Sequence, residues 1–344
     1  MQKPTQKGFA LAAVLWLMAG LSIVLALVAD ATKATAERVA QLRERTGFVR
    51  SALGGRAQAE YWLSAARPRT ADFFDGTNAV MADNTPYQID AHSTIALQDN
   101  GGLIDLNRAD SAILTNFLIG CGVSAERAPY LIDALADYVD SDNLQRLNGA
   151  ERDTYTLHGL PPPRNSLLLS QPEVWDVYGW KPYRQDFERN GCDRSLTVYG
   201  EASMLGISLN LATAPAPVLK AAGLNEELIN DIVTARGDPA KVAERVAQNN
   251  ELLGTGGLFG GAGGKQVQKV LRVTHRHSTG PWKMTYVLTL DPENDDRPWS
   301  VTQPVMEAEL PPVDKISILP WPNQPPLSQP VDAARRLPLQ PSRP

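Results

Sequence analysis

The feature that most constrains this chain is an apolar stretch near its start, from Phe9 to Ala29, which contains no charged residue. At ~1.5 Å per residue, a helix through it is roughly 30 Å long, which matches the hydrocarbon core of a bilayer. Lys3 and Lys7 lie before this stretch, and this placement favours a cytoplasmic N-terminus. The sequence therefore predicts a single-pass membrane protein whose remaining residues fold on the other side of the membrane.

Apolar and helix-forming residues continue well beyond this stretch. A cleavable secretory signal would be shorter and would end in small residues, so the stretch is predicted to stay in the mature chain. Because alanine, arginine, glutamate and glutamine dominate the following residues, we predict one helix from Phe9 to Ala65, with a bend allowed at Gly54–Gly55. Pro68 is expected to end it.

The order of a short basic leader, Gly8-Phe9 and a retained apolar helix resembles the signal of type IV pilins and pseudopilins. The resemblance implies that a prepilin peptidase cleaves between Gly8 and Phe9 and that Phe9 becomes a methylated N-terminus. Members of this class usually carry Glu at the fifth mature position, where this chain has Ala13. That absence is typical of the K-type minor pseudopilin of type II secretion, the proposed tip subunit. The alternative is an ordinary N-terminal membrane anchor.

Beyond the helix, alternation of apolar residues predicts strands at Tyr87–Leu97 and Leu103–Leu106, and then not again until 269–274, Met284–Leu290 and Val301–Leu310. The residues between them have helical patterns and contain two similar segments, each with Leu-Asn before a helical hairpin: Leu106-Asn107 and Leu209-Asn210. This interruption also resembles the K-type pseudopilin.

We therefore predict an α+β protein with a type IV pilin-like fold, in which a long N-terminal helix packs on a small antiparallel sheet, and with a large inserted α-helical domain. The predicted segments are a leader (1–8), a transmembrane helix (9–29), the pilin-like helix and first strands (30–106), the inserted domain (107–250), the remaining strands (251–310) and a disordered proline-rich tail (311–344). Dense proline removes backbone donors and favours a solvated, extended chain. Gly254–Gly264 is predicted to be a flexible loop that lacks the complete phosphate-loop pattern.

The densest candidate site is an acidic segment after a predicted helix. Asp140, Asp142, Glu151 and Asp153 supply carboxylates within a short span, and Ca²⁺ takes six to eight oxygen ligands of this kind. The spacing is not that of an EF-hand, but the segment resembles the acidic run of the K-type family, for which calcium binding is implied. The alternative is a solvated acidic helix end, although the helix dipole disfavours negative charge there.

The sequence predicts a structural protein and not an enzyme, because it lacks a G-x-S-x-G elbow, a Cys-x-x-Cys pair and an H-E-x-x-H motif. His275 and His277 lie on one face of a predicted strand, where exposed residues are more common than metal ligands. Cys121 and Cys192 are equally compatible with one disulfide in an oxidising periplasm and with two separate buried thiols.

The resemblance implies a location in the inner membrane, with the C-terminal domain in the periplasm. It also implies contacts with the I-type and J-type minor pseudopilins, the major pseudopilin and the prepilin peptidase. No nucleic-acid partner is expected at a net charge of -5. The alternative function is a tip pilin of a type IV pilus or competence system that binds DNA through helix-hairpin-helix turns such as Gly120-Cys121-Gly122, although acidic residues beside these turns oppose phosphate binding.

Overall fold

The N-terminal part of this computed structural model is a single helix, α1 (Lys7–Ala65), which runs without a break through Gly54 and Gly55. The structure describes residues 7–200, 209–236, 238, 241, 244–245, 266–291, 298–302, 304–308 and 317–322. Residues 11–46 of α1 are all exposed, and Phe48 is the first buried residue after them. The helix is long and apolar enough near its start to cross a membrane. The predicted helix is therefore confirmed, and only its last third packs on the rest of the chain.

After α1, three short strands form a small antiparallel sheet, and these are β1 (Arg67–Pro68), β2 (Asp72–Phe74) and β3 (Ala79–Met81). Two longer strands follow, β4 (Asp83–Gln88) and β5 (Ser93–Asp99), and they pair antiparallel. The prediction of one strand over Tyr87–Leu97 is therefore wrong. Residues 89–92 form the turn between β4 and β5, and Asp90 stabilises it by accepting hydrogen bonds from the backbone N–H groups of His92 and Ser93.

The main sheet is completed by strands from the C-terminal part of the chain: β8 (Val270–His277), β9 (Trp282–Leu290), β10 (Trp299–Val301), β11 (Val305–Ala308) and β12 (Leu319–Pro320). Its order is β10-β9-β8-β5-β4-β12, and β11 also pairs with β9. The strand predicted over Val301–Leu310 is split, because β10 and β11 pair with successive parts of β9. Trp62 and Leu63 of α1 pack on this sheet with Ile95, Leu97 and Tyr286.

Strands β5 and β8 are antiparallel neighbours, although they are far apart in sequence. The inserted stretch contains the helices α2 (Ser111–Gly120), α3 (Ala128–Val139), α4 (Arg152–Leu157), α5 (Arg184–Arg189), α6 (Ala216–Ala221) and α7 (Glu226–Ala235). It also contains a two-stranded parallel ladder of β6 (Ile104–Asp105) and β7 (Leu196–Thr197). The predicted strand at Leu103–Leu106 therefore exists only in part, and it pairs with β7 and not with the preceding strand.

The two helical hairpins found in the sequence have the same turn. Gly122 after α2 and Gly223 after α6 have φ angles of +101° and +90°, which side chains other than glycine rarely adopt. The N–H groups of Val123 and Leu224 donate to the carbonyls of Leu118 and Leu219, as in a Schellman motif. The internal resemblance therefore reflects a repeated local structure.

A disulfide between Cys121 and Cys192 closes the first hairpin against the end of α5. Both residues are buried in the helical core, beside an edge-to-face pair of Phe117 and Phe187. The sequence is compatible with one disulfide or with two separate thiols, and the structure contains the disulfide. It spans a sequence separation of 71 residues, and it therefore links the beginning of the insertion to its middle.

One buried carboxylate joins the sheet to the insertion. Asp99, at the end of β5, is fully buried. Its Oδ1 accepts the N–H groups of Gly101 and Gln268 at 2.9 and 3.1 Å, and its Oδ2 accepts from Asn210 Nδ2 and Thr213 Oγ1 at 2.8 and 2.9 Å. Four donors from three separate segments therefore converge on one side chain, where β5 leaves the sheet and β8 approaches it.

The sequence predicts that His275 is an exposed strand residue, but His275 is buried in the structure. Its Nε2 lies 3.2 Å from the hydroxyl of Tyr286, and its ring stacks on that ring. His277 is half-buried, and its Nδ1 accepts the N–H of Gly280. Burial, aided by the charge of Arg56, lowers the pKa of His275 to about 4. The nearby carboxylate of Asp90 opposes this shift.

This shift predicts a loss of stability in acid. Because an unfolded histidine titrates near 6.5, the contribution is complete above that pH and falls by up to ~1.4 kcal/mol per pH unit toward pH 4. We expect His275→Gln to remove about 2 kcal/mol of the stability difference between pH 7 and pH 5. Urea denaturation of residues 31–344 at both pH values tests this, and an equal pH dependence in the wild type and the variant would contradict it.

Candidate metal centre

The acidic segment forms the connection between α3 and α4. Helix α3 ends at Val139, and Asp140 is its C-cap residue. The loop then returns to α4, for which Glu151 occupies the N-cap position without a side-chain capping bond. A negative charge at the end of α3 is disfavoured by the helix dipole, whereas one at the start of α4 is favoured. Both carboxylates face the same loop, so the fold brings together residues from its two ends.

Three of the four predicted ligands form one group. Asp140, Asp142 and Glu151 each offer a carboxylate oxygen, and these oxygens lie within 4.8 Å of one another. Oxygens on opposite sides of a Ca²⁺ ion are roughly 5 Å apart, so the spacing suits this ion. Asp153 is exposed in the first turn of α4 and is not a member of the group.

Glu151 is the most informative member of the group. Its side chain is buried at 5 % relative exposure, and among the described residues neither of its carboxylate oxygens has a hydrogen-bond partner. Burial, followed by the charges of Asp137 and Asp140, raises the pKa of Glu151 above its ordinary value. A buried carboxylate without a partner is costly, and a cation between Glu151 and the two aspartates would remove that cost.

Two further charged residues, Arg146 and Asp137, lie beside the acidic group. Asp137 is fully buried, and Arg146 Nη1 donates to Asp137 Oδ1 at 2.7 Å and to Asp140 Oδ2 at 2.5 Å. These two carboxylates raise the pKa of the Arg146 guanidinium. Arg146 therefore pairs with two carboxylates, whereas Asp142 and Glu151 add further negative charge to the loop. Sequence reasoning missed Arg146, although it is the one cation between Asp140 and Glu151.

Local contacts hold the loop in place without an ion. Asp142 Oδ1 accepts the N–H of Leu144 at 2.8 Å, and the N–H and side-chain amide of Asn148 both donate to Asp133. Gly149 passes so close to Asp137 that an added Cβ would lie 1.9 Å from Oδ2. Only glycine fits at this point, so the backbone before Glu151 passes directly beside the carboxylate of Asp137.

The fold and this loop define a class of protein. A membrane-length N-terminal helix packs on an antiparallel sheet, and a helical insertion with an acidic loop interrupts the sheet. This architecture is that of a pilin-like protein whose N-terminal helix fits a single-pass membrane anchor.

Part of the helical region matches a known protein family. Residues 94–186, which include most of β5, α2 to α4 and the acidic loop, match the family model described as "Type II secretion system (T2SS), protein K". This match bears out the resemblance to the K-type minor pseudopilins of type II secretion that the sequence shows, and the predicted family is confirmed for these residues.

Among solved structures, the chain is similar to one in the crystal structure of the GspK-GspI-GspJ complex from the type 2 secretion system of enterotoxigenic Escherichia coli. The two share 13 % sequence identity with a TM-score of 0.47, and the alignment covers 78 % of this chain and 100 % of that chain. No curated protein sequence matches the chain significantly.

The turn that suggested a DNA-binding hairpin uses its backbone donors internally. The N–H groups of Cys121, Gly122 and Val123 all donate to carbonyls of α2, and Cys121 is held in the disulfide. A helix-hairpin-helix turn would present such donors to a phosphate. The geometry of Gly120-Cys121-Gly122 therefore gives no support to the alternative function.

Proposed function

We propose that this minor pseudopilin caps the tip of the periplasmic pseudopilus and helps to initiate its assembly for protein export. The observation that carries the proposal is the N-terminal part of α1, where residues 11–46 make no buried contact with the rest of the chain. Leu11, Trp16 and Leu17 are 67 %, 80 % and 72 % exposed. Such a surface needs lipid near its start and neighbouring helices further along.

Charge supports the proposed position of the subunit. In a pilin-like filament, Glu at the fifth mature position neutralises the N-terminal amine of the subunit above it. Ala13 stands at this position and offers no carboxylate. An uncompensated amine in an apolar bundle is costly, so a subunit with Ala13 is best suited to a place with nothing above it. The helical insertion between β5 and β8 adds width to the head and is compatible with an end position.

The proposed partners are the I-type and J-type minor pseudopilins and the major pseudopilin, with the prepilin peptidase acting before assembly. The match of residues 94–186 to the protein K family model supports this set, because that family is a component of type II secretion systems. We propose an inner-membrane anchor with a cytoplasmic N-terminus, a periplasmic head, a structural and non-enzymatic role, and no nucleic-acid ligand.

Processing is the first test. In cells with an active prepilin peptidase, we expect a mature chain that begins at Phe9 with a methylated amine, because Gly8-Phe9 precedes the apolar helix. Intact-mass spectrometry of the chain from strains with and without the peptidase measures the change. An unchanged mass in the peptidase-positive strain would contradict it.

The second test concerns position. We expect Ala13→Glu to reduce export strongly, because the new carboxylate would lie in an apolar helix bundle with no amine above it. The uncharged variant Ala13→Gln has a similar size and should retain much more export. Secretion and co-purification with the I-type and J-type subunits are the measurements. Equal export by wild type and Ala13→Glu would argue against the tip position.

We also propose that Asp140, Asp142 and Glu151 hold a calcium ion, completed by backbone carbonyls and water. The unpartnered oxygens of Glu151 support this assignment. Asp153, the fourth residue predicted from the sequence, would contribute only through a water molecule or by its charge. The ion would supply stability to the head and no catalytic chemistry.

A further inference from the structure

A short segment near the C-terminus packs against the sheet, within a region that the sequence predicts to be disordered. Residues 317–322 are described and differ from that prediction, whereas 311–316 and 323–344 lie outside the described residues. Strand β12 pairs parallel with β4, with Leu319 opposite Tyr87 and Pro320 opposite Gln88. The N–H of Trp321 then donates to the carbonyl of Gln88.

Trp321 is the anchor of this segment. Its side chain is 5 % exposed, whereas Ile318 and Leu319 are 50 % and 40 % exposed. The indole makes edge-to-face contacts with Trp62 of α1 and Tyr87 of β4, with ring centroids 5.8 and 5.9 Å apart. Aromatic pairs of this geometry add stability beyond the area that they bury. One side chain therefore supplies most of the segment's buried contact.

The walls of the Trp321 site are held by bonds that do not involve the segment. The hydroxyl of Tyr87 accepts the N–H of Met81 at 2.8 Å, and Trp62 Nε1 donates to Asp75 Oδ2 at 3.2 Å. With Trp321 in place, both rings are almost fully buried. A site whose walls are fixed before the ligand arrives loses less entropy on binding.

The segment also covers the part of β4 that is open to pairing. Earlier in β4, Asn84 has a φ angle of +70°, the register with β5 shifts between Asp83 and Pro86, and Pro86 has no N–H group. Such features prevent an edge strand from pairing with another chain. Tyr87 and Gln88 lack them, and it is these two residues that β12 covers.

We propose that the edge of β4 together with Trp62 and Tyr87 is a binding site for an extended peptide with a Leu-Pro-Trp core, and that the chain's own residues 317–322 fill it. The mode is strand addition with one aromatic anchor. The site lies in the pilin-like body, does not depend on the tip position or on calcium, and gives the proline-rich C-terminal region a fixed point of attachment.

The experiment uses the full chain in detergent with a protease site inserted between residues 313 and 314. After cleavage, the C-terminal fragment should remain bound during gel filtration and should be displaced by an excess of a synthetic peptide of residues 317–322. The same chain with Trp321→Ala should lose its fragment after cleavage. Loss of the wild-type fragment, or retention of the Trp321→Ala fragment, would overturn the proposal.

A second measurement is peptide binding to a shortened chain that keeps the membrane helix and ends at Ile316. Labelled peptide 317–322 should bind to this chain and not to the intact chain, whose site is filled. A peptide with Trp321→Ala should bind at least about tenfold more weakly, and one with Ile318→Ala should bind like the wild-type peptide. Equal affinity of the two variant peptides would contradict an anchor at Trp321. If the shortened chain does not fold, the cleavage experiment tests the binding site instead.

Discussion

Replacing Cys121 and Cys192 together by alanine should lower the free energy of unfolding of residues 31–344 by about 4 kcal/mol. The disulfide spans 71 residues, and the loop entropy that it removes from the unfolded chain grows with the length of that loop. Alanine is the better replacement, because both cysteines are buried at 1 % and 2 % exposure and a serine hydroxyl would need a partner there.

Urea denaturation followed by circular dichroism measures this difference. Residues 31–344 retain every buried side chain of the described residues, since Phe48 is the first of them. Wild-type protein under strong reducing conditions is the control, and it should unfold at nearly the same urea concentration as the double variant in either condition. An oxidised wild type that unfolds together with the double variant would show that the bond adds no stability.

Calcium should raise the melting temperature of the same fragment relative to EGTA. At a hundredfold excess over Kd, binding stabilises the folded state by about 2.7 kcal/mol, and for a chain of this size we expect a shift of about 5 °C. Without the ion, Asp140, Asp142 and Glu151 repel one another within 4.8 Å. The acidic loop should therefore be among the first parts to open in EGTA.

Two variants and one control variant make the calcium test specific to this site. Glu151→Gln keeps the shape of the buried side chain but removes its charge, so it should melt above the wild type in EGTA and below it in calcium. Asp142→Ala should abolish most of the calcium effect. Asp153→Asn is the matched control and should respond to calcium like the wild type, because Asp153 is exposed and outside the group. Identical melting of the wild type in calcium and in EGTA at pH 7 would leave the loop as a solvated acidic turn.

Much of the secondary structure was predictable because its causes are local. Helix α1, the hairpins around Gly122 and Gly223, and strands β8 and β9 follow from periodicity and from glycine at turns. One clear error falls where a turn has no glycine or proline. The turn between β4 and β5 depends on the side chain of Asp90, and alternation of apolar residues runs through it unchanged.

The sequence alone predicted the membrane-length helix, the interruption of the sheet by a helical domain, the acidic segment and the family resemblance, because each depends on local patterns along the chain. Only the tertiary structure decided which distant groups meet. It joined Cys121 to Cys192, turned Glu151 toward Asp140 while leaving Asp153 outside, and placed Trp321 between Trp62 and Tyr87. These contacts depend on how α1, the sheet and the insertion pack together, and the free energy of that packing is not encoded in any local pattern.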